Sequence, residues 1–138
     1  MAESELIQVV KLAEKSLLGA ILIDSSNGST MIVDYAKFRI KPDYFLDSKL
    51  WDNRNSRIYK AMLECKSPNQ IAVAKKLNEM KMLKSGDCAY LRELVADCPT
   101  IYVYQDCIKV ILESAIQRGV IKEAIGTNSY KGLRFERA

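Results

Sequence analysis

Apolar residues recur at three- and four-residue steps from the start of the chain. Leu6, Val9, Val10, Ala13, Leu17, Ala20 and Ile21 give a first helix one continuous apolar face, predicted to end before Asp24. The run Ser25-Ser26-Asn27-Gly28-Ser29 gathers residues that bond their own backbone or tolerate positive φ, so it reads as a loop. Ile32, Val33, Tyr35, Ala36 and Phe38 fit a short second helix, with a strand as competitor because Ile32 and Val33 are β-branched. Pro42 closes that segment, having no amide to donate and disfavouring helix in the residue before it. Asp43-Tyr44-Phe45 then reads as a single turn carrying two aromatics inward.

A third helix is predicted around Ile58, Tyr59, Met62 and Leu63, with Asp52 to Ser56 supplying candidate caps. After Ser67-Pro68, Asn69 is placed to cap a fourth helix whose stripe is Ile71, Ala74, Leu77 and Met80. Gly86 interrupts the pattern. Tyr90, Leu91, Leu94 and Val95 resume it up to Cys98-Pro99-Thr100, and the longest stripe comes next: Ile101, Tyr104, Ile108, Ile111, Leu112, Ala115 and Ile116. Two apolar stripes joined by a short turn predict an antiparallel helical hairpin. Gly119 weakens its second arm and Gly126 is expected to end it, leaving residues without periodicity as a linker or tail. The fold class expected is all-α: a bundle of about four helices over residues 1–85, a hairpin over 86–125, and a tail over 126–138.

Composition narrows the function more by exclusion than by suggestion. The chain has 138 residues, room for one domain, with 49% hydrophobic and 28% charged residues, an ordinary globular balance. Its net charge of +4 comes from 21 basic and 17 acidic residues spread along the chain, whereas a dedicated nucleic-acid face needs basic residues concentrated on one surface. There is no histidine, and Cys65, Cys88, Cys98 and Cys107 form no CxxC pair, so neither a zinc site nor a histidine-based catalytic arrangement is expected. Cys88 and Cys98 read as packed or turn residues with reduced thiols. The acidic N-terminus is unlike a secretory signal, and no apolar run reaches the roughly 18 residues of a membrane span; a cytoplasmic protein is expected.

No GxxxxGK[ST] loop occurs, so the chain carries no Walker-type ATPase, and no cofactor is expected. Asp43, Asp47 and Asp52 are explained by helix capping and solvation rather than by paired-carboxylate chemistry. Tyr90 and Tyr104 lie on apolar stripes and are expected to pack, while Tyr102 and Trp51 stay open as packing or base-stacking residues.

Several segments, taken in order, resemble the N-terminal domain of DnaB-type replicative helicases. AEKSLLGAILID (13–24) is similar to the family's opening AEQ-x-LLGA-x-L-x-D helix, KPDYF (41–45) to its xPxDF element, and RIYKAML (57–63) to its xIFxAM helix. QIAVAKKL, Leu83 and GDCAYLREL (86–94) resemble the LxTLAexL…L…GGxAYLxEL segment, and DCPT (97–100) the NTPS turn before a long helix. The resemblance runs over roughly residues 5–125. The chain departs from the pattern at Asn55, where the family often has histidine, at Asp87 for the second glycine and at Asn69 for aspartate. LDSKLW (46–51) looks like an insertion. These departures suggest a divergent member of phage or plasmid type.

The resemblance implies a non-catalytic collar domain: a globular bundle with a protruding hairpin, hairpins pairing into homodimers, and three dimers forming the hexameric ring that encircles DNA. Primase, and in some systems a helicase loader, would dock on that collar, while the ATPase belongs to a further domain. Tyr90, Leu91, Leu94, Val95, Ile101, Tyr104, Ile108, Ile111, Leu112 and Ala115 are the candidate dimer residues of the hairpin. Apolar stripes left wet cost about 25 cal/mol per Å², so they must be covered, either by a partner or by the chain's own core; the pattern leaves both open. Two other readings are a stand-alone regulator derived from a helicase collar, and a small nucleic-acid binder using Lys109, Arg118, Lys122, Lys131, Arg134 and Arg137.

Overall fold

The structure, a computed structural model, describes residues 2–121. Six α-helices succeed one another among the described residues: α1 (Ala2–Ser26), α2 (Met31–Lys37), α3 (Arg54–Leu63), α4 (Gln70–Glu79), α5 (Asp87–Asp97) and α6 (Tyr104–Gln117). Single 3-10 turns at Pro42–Tyr44 and Ile101–Val103 lead into the segments before α3 and α6, and no strand occurs among the described residues. The all-helical expectation therefore holds, including α2, where Ile32, Val33 and Ala36 are buried together on one side.

The middle of α1 is the centre of the domain. Residues 16–22 are buried without interruption, and a helix apolar on every side must be surrounded by other elements. α2, α3, α5, α6 and the second 3-10 turn all pack against it, while α4 sits outside on α3 and α5. α1 also runs beyond Asp24, because the Asp24 carboxylate is used across the loop rather than within α1. Its Oδ2 accepts from the Ile32 amide at 3.1 Å and from the Ser29 hydroxyl at 3.1 Å, holding the start of α2.

The capping logic is met elsewhere with some exchange of parts. Asn69 accepts from the Ala72 amide at 2.9 Å, as its position before α4 predicts. α3 is not capped by any residue of 52–56; Asp47, from the 46–51 segment, accepts from the amides of Asn55 (3.0 Å) and Ser56 (3.2 Å) instead. α6 stops at Gly119, whose φ of +79° allows the Val120 amide to return to the Ala115 carbonyl at 2.9 Å, so this glycine ends the arm rather than merely weakening it. In α4 the core positions are Val73 and Leu77, and Ile71 of the predicted stripe faces solvent.

The hairpin is where the structure departs most from the sequence reading. α5 and α6 do not project and pack chiefly on α1 rather than on each other. Leu91, Leu94, Ile108, Ile111 and Ala115 are buried in the core of this single chain, and Tyr90, Val95, Ile101, Tyr104 and Leu112 are partly buried against it. The reason is the width of α1's apolar surface: two further helices are needed to cover it. The hairpin residues 122–125, Gly126 and the tail lie outside the described residues.

Gly19 marks the closest approach. A Cβ there would collide with the Leu94 carbonyl oxygen and sit 3.0 Å from Cys98 Cβ, so α5 lies against α1 only because residue 19 has no side chain. Gly19→Ala is expected to destabilise the domain by about 1–3 kcal/mol despite alanine's better helix propensity, read as a lower urea midpoint at unchanged m-value. An unchanged midpoint would show that the α1–α5 contact is not tight.

Candidate interaction surfaces and the network beneath them

Two buried polar clusters fix the surfaces that remain available. In the first, the fully buried Asp87 carboxylate accepts from Arg57 Nη1 at 2.7 Å and from the Lys84 amide at 2.9 Å, and Arg54 Nε lies 3.2 Å away as an ion pair without an aligned hydrogen bond. Arg57, itself buried, also donates to the Met82 carbonyl (2.8 Å) and to Asn53 Oδ1 (3.1 Å). One ion pair thus ties α3 to the start of α5 and to the 80–86 loop. Burial alone would raise the Asp87 pKa, but the Arg57 bond, the Lys84 amide and both guanidinium charges together hold it below the ordinary carboxylate value.

In the second cluster, Glu14 of α1 accepts from the Leu46 amide at 2.6 Å and from Asn55 Nδ2 at 3.0 Å, and Tyr90 Oη donates to Asn55 Oδ1 at 2.6 Å. Burial pushes the Glu14 carboxyl above its usual range, partly offset by those two donors. Arg118, at the end of α6, donates to the Tyr44 carbonyl at 2.6 Å and lends Glu14 a compensating charge. Asn55 and Asp87 are positions where the chain departs from the family pattern, and here each is a node of a closed network. Sequence reasoning missed both. The available signal was a pair of arginines, Arg54 and Arg57, spaced on one side of a helix that also carries the apolar stripe.

The remaining candidate chemistry is sparse. Cys65 donates to the Ala61 carbonyl at 3.3 Å, and burial raises its thiol pKa; burial likewise pushes Cys107 up to about 11, so neither is an activated nucleophile. Cys88 is exposed on α5, contrary to its expected packing, while Cys98 closes the turn after α5. An open cleft of about 370 Å³ between α3 and α4 is lined by Glu64, Cys65, Lys66, Lys75 and Lys76, without a buried polar group aimed into it. Among the described residues no group of His, Cys, Asp or Glu is placed to hold a metal, and no helix is long and apolar enough to cross a membrane.

Among the described residues Met31, Phe38, Ile71 and Tyr102 are exposed singly, and two stretches expose more than one large apolar side chain. The first turns of α1 run past the bundle with Leu6 (57% exposed), Ile7, Val9 and Leu12 (64% exposed) in solvent. The 46–51 segment presents Leu50 and Trp51 (88% exposed) beside Leu83 and Lys84. Of the two aromatics left open by the sequence, Tyr102 is also exposed, whereas Tyr90 and Tyr104 pack as expected, Tyr104 edge-on to Tyr35 at 5.3 Å. Of the basic residues considered for nucleic acid, Lys109 is exposed, Arg118 is exposed but bonded to the Tyr44 carbonyl, and Lys122, Lys131, Arg134 and Arg137 lie outside the described residues.

Removing the Asp87 charge should be costly, because it takes from the buried Arg57 its buried partner and leaves it with the exposed Asp52 carboxylate 3.6 Å away. Asp87→Ala is expected to lose about 3–5 kcal/mol in denaturant unfolding. The folded-state pKa of Asp87 is depressed, so its contribution is complete above the unfolded-state carboxylate pKa and declines as pH falls through the folded value. Glu14 acts with the opposite sign: its folded pKa is raised, so its protonation as pH falls towards the unfolded value relieves a penalty present at neutral pH. Against Asp87→Asn, the wild-type advantage should therefore be constant from neutral pH down to about 4 and shrink only in stronger acid. An advantage that shrinks between pH 7 and 5 would contradict the assignment.

The model of the DnaB-like helicase N-terminal domain matches residues 8–113. The crystal structure of the N-terminal domain of DnaB helicase from Mycobacterium tuberculosis superposes with a TM-score of 0.65 at 22% identity, covering 91% of this chain and 84% of that one. No curated protein sequence matches significantly. With more than half of the chain inside the family match and the same all-helical fold in the crystal structure, the chain belongs to the DnaB-like helicase N-terminal domain family.

Proposed function

We propose that this domain is a non-catalytic collar module of a replicative helicase, mediating dimer and hexamer assembly and offering a docking surface to primase or a helicase loader in DNA replication. The observation that carries this reading is the family match over residues 8–113. The physical support is an apolar surface that the chain does not cover itself. Leu6, Ile7, Val9 and Leu12 expose four large aliphatic side chains within two turns, and neighbouring exposed apolar residues of this kind mark interaction sites.

This reading moves the assembly surface away from α5 and α6. Leu91, Leu94, Ile108, Ile111 and Ala115 are buried in the chain's own core, whereas Tyr90, Val95, Ile101, Tyr104 and Leu112 stay partly exposed; we place the main homodimer contact on the first turns of α1, where aliphatic side chains are more exposed. A second copy is the simplest occupant, because a two-fold axis covers both patches with one contact. The alternative of a stand-alone regulator would use the same surface to bind a helicase.

Sedimentation of the full chain tests the proposal. Oligomers are expected at high micromolar concentration, and Leu6→Glu with Leu12→Glu should reduce them to monomer while leaving helical content unchanged; at low concentration, where the wild-type chain is itself monomeric and both side chains are wet, the unfolding midpoint should be unchanged as well. A wild-type chain that stays monomeric would overturn the assembly role. Oligomers that survive both substitutions would overturn the α1 surface.

A further inference from the structure

The 46–51 segment presents the chain's one tryptophan in an arrangement that packing does not explain. Trp51 is 88% exposed, yet it is held: Lys84 Nζ donates to its carbonyl at 2.9 Å and lies 4.8 Å from the centre of its ring. A ring restrained in water has already lost part of the freedom that a ligand would otherwise have to remove.

The charges beside it have one free sign. In segments 46–54 and 81–87 the acids are Asp47, Asp52 and Asp87. Asp47 accepts from the α3 amides, Asp52 lies 3.6 Å from Arg57, and Asp87 is buried between two arginines. Lys49 and Lys81, both exposed, and Lys84 make no ion pair among the described residues, and the Lys84 ammonium meets the Trp51 carbonyl and ring. Lys81 sits just past the end of α4 at φ +59°, where glycine is favoured and a side chain costs about 1 kcal/mol.

We propose that this surface binds single-stranded nucleic acid, with a base stacked on Trp51 and the flanking phosphates on Lys49, Lys81 and Lys84. Stacking accepts any base with a free face, and three ammonium groups track a backbone rather than read a sequence. A duplex offers no unstacked base to Trp51. An acidic protein surface would satisfy the lysines but leave the ring without a partner.

Because the chain has a single tryptophan, its fluorescence reports this site alone. Titrating the full chain with a short oligothymidylate at low salt should quench that fluorescence, and three phosphate contacts should give a slope of log affinity against log salt of about −2. The same strand in duplex form, and heparin as a polyanion without bases, should quench far less. With a labelled oligothymidylate monitored by anisotropy, Trp51→Ala should weaken binding at least about fivefold, and Lys49→Glu with Lys81→Glu should weaken it further and flatten the salt slope. These side chains are exposed, so circular dichroism should be unchanged. Absence of quenching, equal quenching by duplex or heparin, or strand binding that survives Trp51→Ala would each overturn the proposal, the last by placing the strand elsewhere on the chain.

Discussion

The domain depends on clothing one helix. α1 is apolar around most of its circumference over its middle turns, and four other helices meet it there. That requirement decides the rest of the architecture. α5 can lie close only where Gly19 removes a side chain, and α6 covers what α5 leaves, so the two arms that a stripe pattern would join into a projecting hairpin both pack on α1. The same helix then runs beyond the bundle, and its first turns keep the apolar character without the cover.

Around this strut the polar residues act as a frame. Asp87 and Arg57 close one ion pair between α3 and α5, and Glu14, Asn55 and Tyr90 close a second set between α1, α3 and α5. Two of the residues that depart from the family pattern, Asn55 and Asp87, are members of these frames. Asp87 stands at a glycine position, and its carboxylate brings Arg54 and Arg57 together with the 80–86 loop. The 46–51 segment is tied down through its first two residues, by Leu46 on Glu14 and by Asp47 on the α3 amides, so the residues beyond them are presented outward at a defined place. Assembly at α1 and strand binding at Trp51 would therefore use surfaces held by one shared polar framework.

The helices were legible because each carries its own signal. Apolar spacing located all six, Asn69 announced the start of α4, and Pro42 separated α2 from the aromatic turn at Tyr44 and Phe45. The ordered motifs, from AEKSLLGAILID to DCPT, were legible as a family resemblance. What was not legible is which neighbour each stripe meets. A periodic face says that something covers it but not what, and Leu91, Leu94, Ile108 and Ile111 look the same in sequence whether a partner or α1 does so. Leu6 and Val9 continue the spacing of Val10, Ala13 and Leu17, yet only the latter reach the core, because the end of the bundle is a three-dimensional fact with no local mark. The capping of α3 by Asp47 and the pairing of Asp87 with Arg57 are long-range contacts and were equally silent.

Hydrogen exchange measured residue by residue across a range of protein concentrations tests most directly where the subunits meet. Amides in the middle of α1 should be among the slowest at every concentration, opening only with global unfolding, and those near Leu6, Val9 and Leu12 should gain protection as concentration rises. Concentration-dependent protection confined to α5 and α6, with the start of α1 unchanged, would contradict this picture and return the contact to the hairpin.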